Sequence, residues 1–276
     1  MLSPRQLLAQ ARRRPRKRYG QNFLVNVSAA RNVARLSLRD AAPNTRALEI
    51  GAGTGTLTLA LLEEGADLTA LEIDPNLVDI LRSRTDLSAA RIIAADALSF
   101  DYAAWSAGQQ WLAAGNLPYY IATLLMLRLI EMDDGPDSLT IMVQKDVADR
   151  LVAAPATPAY GSLSVAVQYA MRAERAFTLS PRSFFPAPKV DSSVVHLVRR
   201  AEPAVRTRDQ SLFWKVVRGA FAYRRKTLVN SLALSLGLDR ATILRALALS
   251  NLSPELRGER LDLSDFARLA DALAER

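Results

Sequence analysis

Arg46-Ala47-Leu48-Glu49-Ile50-Gly51-Ala52-Gly53-Thr54-Gly55 decides how this chain folds. The first five residues read as a short buried strand. Three glycines at alternate positions then make a turn, and the apolar stretch Thr56 to Glu64 reads as a helix that stops at Gly65. Glycines between a strand and a helix accept positive φ and let a ligand come close to the backbone. The dinucleotide fingerprint G-x-G-x-x-G would need glycine at position 56, where Thr56 stands. The turn is therefore a relative of that fingerprint.

Working outward, Asp67 to Ile73 is a second strand and Pro75 to Arg82 a helix, with Asp74 as its N-cap and Pro75 at its first position. Ala90 to Ala94 and Gln110 to Ala114 are further strands, Tyr120 to Glu131 a helix, and Ser138 to Val143 a fifth strand. Strand and helix alternating in this way predict a parallel sheet covered on both faces, a Rossmann-like α/β architecture. Beyond Val143 the pattern changes. Asp146 to Val152 and Ser162 to Met171 read as helices, residues 155–161 as a loop, and Val190 to Val198 as a strand. Arg199 to Asp209 reads as a linker. Ser211 to Leu236, Arg240 to Leu249 and Ser264 to Ala274 are apolar at helical spacing and predict a small all-helical domain. The expected division is a basic, flexible arm over 1–20, a catalytic domain over 21–201 and a helical domain over 202–276.

The chain has 276 residues, no cysteine, one histidine and a formal net charge of +8. Without cysteine there are no disulfides and no thiolate chemistry. The lone His196 leaves little room for zinc, so no metal is expected. The charge is uneven. Residues 1–20 carry seven basic side chains and no acidic one, residues 21–180 carry an acidic excess, and residues 181–276 are basic again. Basic ends around an acidic middle suit a polyanion such as nucleic acid. No stretch approaches the roughly 18 apolar residues of a membrane span. No secretory signal follows Arg14, because Pro15-Arg16-Lys17-Arg18 comes next. A cytoplasmic monomer is the expectation.

Two carboxylates stand at predicted strand ends. Glu72 can accept both hydroxyls of a ribose, and Asp96 can accept from an adenine amino group. Gly115-Asn116-Leu117-Pro118-Tyr119 adds a reaction. An amino nitrogen on an aromatic ring is a poor nucleophile, because its lone pair is delocalised. Acceptors facing its two N–H groups favour a pyramidal nitrogen. Asn116 offers its side-chain oxygen and Leu117 its carbonyl. Pro118 stiffens the turn, and Tyr119 can stack on the ring. Together with the glycine turn, this points to methyl transfer from S-adenosylmethionine onto the amino group of a base.

With these motifs in place, the chain resembles the ribosomal RNA adenine dimethyltransferases of small-subunit assembly. The resemblance runs almost end to end. It is carried by Lys17 to Leu24, Glu49 to Gly55, Glu72-Ile73-Asp74, Asp96, Gly115 to Tyr119, Val143 to Asp146, Ala159 to Val165, Phe184 to Asp191 and Arg224 to Leu228. It implies a seven-stranded methyltransferase sheet whose last strand is antiparallel. It implies that Asn22, Leu24, Gly51, Gly53, Glu72, Asp96 and Asn116 surround S-adenosylmethionine, and that Phe184 lies opposite Tyr119 on the target adenine. Two adjacent adenines near the 3′ end of small-subunit RNA would each receive two methyl groups. Tyr120 departs from the smaller polar residue, such as asparagine, that bacterial relatives often carry. Arg16, Lys17 and Arg18, then Lys189 beside Arg182, and the Arg224-Arg225-Lys226 run on an expected helix are the RNA-binding candidates.

Three other readings compete. A sister dimethyltransferase of large-subunit RNA, of the antibiotic-resistance type, shares the reactive turn. An NAD-dependent dehydrogenase would share the glycine turn and Glu72. A non-catalytic RNA-binding relative would keep the fold and lose the chemistry.

Overall fold

The computed structural model describes residues 2–42 and 45–275. It forms two compact units, Met1–Ala148 with Ala173–Arg199, and Asp149–Arg172 with Arg200–Arg276.

The first unit opens on helix α1 (Pro4–Gln10). Its start is well specified. Ser3 accepts from the Gln6 backbone, Gln6 returns a bond to Ser3, and proline occupies the first turn. Leu8 then buries against Phe23, Leu77 and Ile80. The N-terminal segment expected to be a flexible arm is thus helical over Pro4–Gln10 and anchored by Leu8, with Leu7 and Ala11 packed against the same cluster. Strand β1 (Phe23–Leu24) follows, then α2 (Val27–Leu38). Helix α2 is not among the expected elements; its buried stripe is Ala29, Ala30, Val33, Ala34 and Ser37.

The alternating core runs β2 (Arg46–Ile50), α3 (Thr56–Glu63), β3 (Asp67–Glu72), α4 (Pro75–Ser83), β4 (Arg91–Ala94), α5 (Tyr102–Ser106), β5 (Trp111–Asn116), α6 (Tyr119–Glu131) and β6 (Ser138–Gln144). Asp74 caps α4 as the sequence predicts. After α7 (Lys145–Leu151) and α8 (Ser162–Ala170) come β7 (Met171–Leu179), β8 (Phe184–Phe185) and β9 (Ser192–Arg199). The main sheet has the order β4-β3-β2-β5-β6-β9-β7. The pairs from β4 through β6 are parallel, and β9 runs antiparallel to β6 with Val195 opposite Ile141. This is the seven-stranded methyltransferase sheet with an antiparallel last strand. Strand β7 is not legible in the sequence. It is an edge strand whose middle is exposed and charged at Arg172, Glu174 and Arg175, and such edges lack the apolar alternation that marks a half-buried strand. A separate two-stranded ladder joins β1 and β8, placing Phe23 opposite Phe185 and Leu24 opposite Phe184.

Parallel strands put their C-terminal ends on one edge, and ligands of open α/β sheets bind beyond that edge. Gly115 lets β5 approach β2 there, since a Cβ on it would stand 2.5 Å from the Ile50 carbonyl oxygen.

The second unit holds α9 (Gln210–Ala222), α10 (Leu228–Leu236), α11 (Arg240–Leu249) and α12 (Leu263–Ala274). Its core joins Phe213, Val217, Leu232, Leu247 and Phe266 to Tyr160, Val165 and Tyr169. Those last three explain why residues 149–172 belong to this unit rather than to the sheet domain that sequence boundaries assign them. The single helix expected over Ser211 to Leu236 is two. Tyr223 leaves helical geometry at φ −130° and ψ 74°, the Lys226 N–H donates to the Tyr223 carbonyl, and Thr227 precedes the next helix. Arg224, Arg225 and Lys226 therefore lie in a turn, not on a helix.

Candidate active site

A cavity of about 170 Å³ opens at the C-terminal edge of the sheet in the first unit. The glycine turn, the ends of β3 and β5, the start of α6 and residues 19–23 wall it. Asn22, Gly51, Gly53, Glu72, Asp96, Asn116, Leu117, Pro118, Tyr119 and Tyr120 all line it. Most of the candidate cofactor and reaction residues are thus brought together.

Gly51, Gly53 and Gly55 all adopt positive φ, as the turn demands. Gly55 is the least replaceable, because at φ +86° a Cβ would also stand 2.6 Å from Leu87 Cδ1. Arg84 braces the turn from behind. Its guanidinium donates to the Thr54 carbonyl at 2.7 Å and forks onto the Asp86 carboxylate. Nothing in the sequence marks Arg84, a single arginine after a helix.

Glu72 is buried at the tip of β3. One carboxylate oxygen accepts from the Gly53 N–H at 2.8 Å and the other from the Asp74 N–H at 2.9 Å. Each oxygen keeps a second lone pair for a ligand. Burial pushes the carboxyl up from its ordinary range, while those two backbone bonds pull it down. Behind it, Glu49 is also buried and takes a bond from Thr58. Burial first, with the nearby Glu72 charge adding, pushes Glu49 up to about 7. Asp74 links the site to the basic N-terminal segment, accepting from Gln21 at 3.1 Å and pairing with Arg16 at 3.3 Å. Burial raises its pKa, but the hydrogen bonds from Asn76 and Gln21 and the charge of Arg16 outweigh that and hold it below the usual range. Asp96 sits on the rim, exposed, and accepts from the Leu98 N–H.

The reactive turn has a defined orientation. Asn116 Nδ2 donates to the main-chain oxygen of Asn22 at 2.7 Å. A carbonyl can only accept, so the nitrogen of the amide must stand there. Oδ1 is then the acceptor that remains on the half-buried side chain in the cavity wall. The Tyr119 hydroxyl meets Ser192 Oγ at 2.8 Å, which holds the ring. Burial pushes the Tyr119 phenol up, so it stays protonated. Ser192 is not among the sequence candidates. Its signal is its place directly after the Phe184 to Asp191 motif.

Two candidates are not at the cavity. Leu24 and Phe184 face each other across the β1–β8 ladder, both are buried, and both pack with Leu179 and Val194 in the core. Phe184 is 4% exposed and is not among the residues that wall the cavity. Lys189 and Arg182 are exposed and lie outside the cavity wall. Lys17 and Arg18 are exposed in a short 3-10 turn (Lys17–Tyr19), with the Arg18 guanidinium 4.7 Å from the Tyr19 ring centre. Arg224 donates to the Pro158 carbonyl at 2.9 Å. Among the described residues no group of carboxylates and histidine is arranged to hold a metal, and no helix is long and apolar enough to cross a membrane.

Residues 12–267 match the ribosomal RNA adenine dimethylase family. The chain belongs to that family. It is 40% identical over 265 residues to the ribosomal RNA small subunit methyltransferase A of Lactococcus lactis, covering 94% of this chain and 90% of that protein. It is 41% identical over 267 residues to the enzyme of the same name from Streptococcus gordonii, covering 94% and 91%. Among solved structures it is similar to a dimethyladenosine transferase from Plasmodium falciparum, with TM-score 0.72, 22% identity and coverage of 90% and 95%. It is also similar to the 23S rRNA methyltransferase ErmE, with TM-score 0.71, 23% identity and coverage of 92% and 100%. These two likenesses bear on the fold. As a ribosomal RNA adenine dimethylase the chain is an S-adenosylmethionine-dependent methyltransferase, which removes the dehydrogenase and non-catalytic readings.

The cavity fits that cofactor. A Cβ added at Gly51 would meet only the Asn116 carbonyl, at 3.8 Å, so the glycine leaves open space beside the turn. The buried Glu72 carboxylate, with lone pairs to spare, is suited to a vicinal diol.

Proposed function

We propose that this dimethylase modifies two adjacent adenines near the 3′ end of small-subunit ribosomal RNA, two methyl groups on each exocyclic nitrogen, in immature small subunits. The observation that carries the mechanism is the Asn116–Asn22 hydrogen bond. It leaves the Asn116 oxygen as the free end of an amide in the cavity wall, where it would accept from an adenine amino group. The Leu117 carbonyl would accept from the second N–H. With both hydrogens engaged, the nitrogen lone pair is freed from the ring. Tyr119, held by Ser192, would lie along the base and keep its plane fixed.

S-adenosylmethionine, when bound, supplies a methyl group on a positively charged sulfur. Glu72 and Asp96 would hold its ribose and adenine, and Asn22, Gly51, Gly53 and Asn116 would complete its surroundings. No strong base is needed, because the amino nitrogen becomes acidic once it is alkylated and can release its proton to water. Positioning supplies most of the acceleration, for which roughly 7–11 kcal/mol is available. Arg16, Lys17, Arg18, Lys189, Arg225 and Lys226 would contact RNA phosphates, in a cytoplasmic, monomeric protein. The family match and the two relatives named for small-subunit methylation support the choice of RNA.

The test offers the protein immature small subunits and, separately, protein-free large-subunit RNA, with methyl-labelled cofactor. Label in the small subunits supports the reading. Label only in the large-subunit RNA overturns it.

A further inference from the structure

Tyr120 has no part in the mechanism above, yet it is the most exposed aromatic ring in the cavity wall. It is 62% exposed, and Leu124, one turn later on α6, is 61% exposed. The ring is not loose. A Cβ built on Gly20 would lie 3.3 Å from Tyr120 Cδ1 and 3.4 Å from Cε1, so the ring rests against the bare backbone of that glycine. The ring is propped at Cδ1 and Cε1, while most of the residue stays open to solvent. Tyr19, under the Arg18 guanidinium, shares the cavity wall with it, and Lys17 precedes both. A propped, largely exposed aromatic ring among cations matches the chemistry of a single nucleotide of an unpaired strand, a flat base on an anionic backbone.

We infer that Tyr120 is a stacking platform for the base next to the adenine being methylated. The inference rests on the two-adenine reading above and extends it. An adenine held between Asn116 and Tyr119 must unstack from its neighbour, and that neighbour then exposes a face. Tyr119 and Tyr120 are consecutive at the start of α6, so successive side chains diverge, one inwards and one outwards. One ring serves the reacting base and the other the base beside it. With two adjacent target adenines, the pair can exchange roles between rounds. The platform thereby favours an RNA with a purine neighbour over an isolated adenine.

The experiment is a two-by-two cycle. Immature small-subunit particles carry either both adenines or one adenine beside an abasic nucleotide. Each is methylated by wild-type protein and by Tyr120→Leu. Stacking losses of this kind correspond to about a 5- to 150-fold change per base. The expected result is a rise in KM of about tenfold or more for Tyr120→Leu on the paired adenines. A similar rise is expected for the wild type on the abasic particle, and little further rise when the two changes are combined. Tyr120→Trp should restore the wild-type KM, and the cofactor dissociation constant should be the same in all proteins. Equal effects of Tyr120→Leu on both particles would overturn the inference, since the neighbour would then be irrelevant. Weaker cofactor binding by Tyr120→Leu would also overturn it, assigning the ring to the cofactor's adenine. Absence of transfer by the wild type to intact particles would defeat the functional reading as well, so the two failures are distinguishable.

Discussion

Asn116 and Asn22 are 94 positions apart in the chain and are joined by one hydrogen bond of 2.7 Å, amide nitrogen to main-chain oxygen. That bond makes the end of β5 and the segment before β1 a single unit of the active site. It also removes the ambiguity of the amide, since only one of its two ends can face the cavity as an acceptor. Asn116→Ala should lower the single-turnover rate of methyl transfer about a hundred- to a thousandfold, the usual effect of losing one preorganised polar partner. Cofactor affinity should change by a few fold at most. Rapid-quench kinetics beside calorimetric titration separates the two quantities. A wild-type rate would contradict the acceptor role.

Glu72→Ala should act on the other quantity. It removes the acceptor for the Gly53 and Asp74 N–H groups together with the proposed ribose acceptor. Hydrogen bonds to a charged group are worth about 1.5–3 kcal/mol, which is roughly a 10- to 150-fold loss in cofactor affinity. Calorimetry reads it directly. An unchanged dissociation constant would refute the assignment.

Ser192→Ala tests whether holding the Tyr119 ring matters. The pair meets at 2.8 Å, and a neutral hydrogen bond of this kind contributes about 0.5–1.5 kcal/mol. A fall of roughly two- to tenfold in kcat/KM for RNA is expected, with the cofactor dissociation constant unmoved and with recovery in Ser192→Thr.

Glu49 predicts a pH effect on stability. Its carboxyl is pushed from an ordinary value of 4.5 up to about 7 in the fold. Between those values the folded protein holds a proton that the unfolded chain has released. Stability from this group is therefore present below pH 4.5, declines as the pH rises, and is gone above about 7. The Glu49→Gln side chain can keep the Thr58 bond without carrying a charge. The Tm of this variant should gain on the wild type steadily from pH 4.5 to about 7 and then level off, measured calorimetrically. A constant difference across that range would contradict the assignment.

The basic turn predicts a salt effect. Arg225 and Lys226 are exposed in the connection between α9 and α10. If both bind phosphates, replacing them with alanine should flatten the slope of log affinity against log salt by about 0.7–0.9 for each phosphate no longer neutralised. Equal slopes for variant and wild type would remove them from the interface.

Much of this molecule is legible in the sequence, for physical reasons that also mark where legibility stops. The strands β2, β3, β5 and β6 are buried on both faces, so they appear as short apolar runs between turns. The Asp74-Pro75 pair announces α4, because both residues act locally. The cavity residues Gly51, Glu72, Asp96 and Asn116 are readable since strand ends of a parallel sheet converge on one edge. What escapes depends on distance or on weak contrast. The Asn22 carbonyl, Arg84 behind the glycine turn and Ser192 beside Tyr119 act through partners far away in sequence. Strand β7 is a charged edge. Leu24 and Phe184 are named by motif position alone. They pair with each other across the β1–β8 ladder, and both are buried.

The most direct test of the central claim is the identity and position of methylated nucleotides after the purified protein acts on immature small subunits, read by nuclease digestion and mass spectrometry. The account predicts two adjacent dimethylated adenosines near the 3′ end with the wild-type protein and unmodified adenosines with Asn116→Ala. Methyl groups on ribose or on a ring carbon, or the same dimethylated pair formed at full rate by Asn116→Ala, would contradict it.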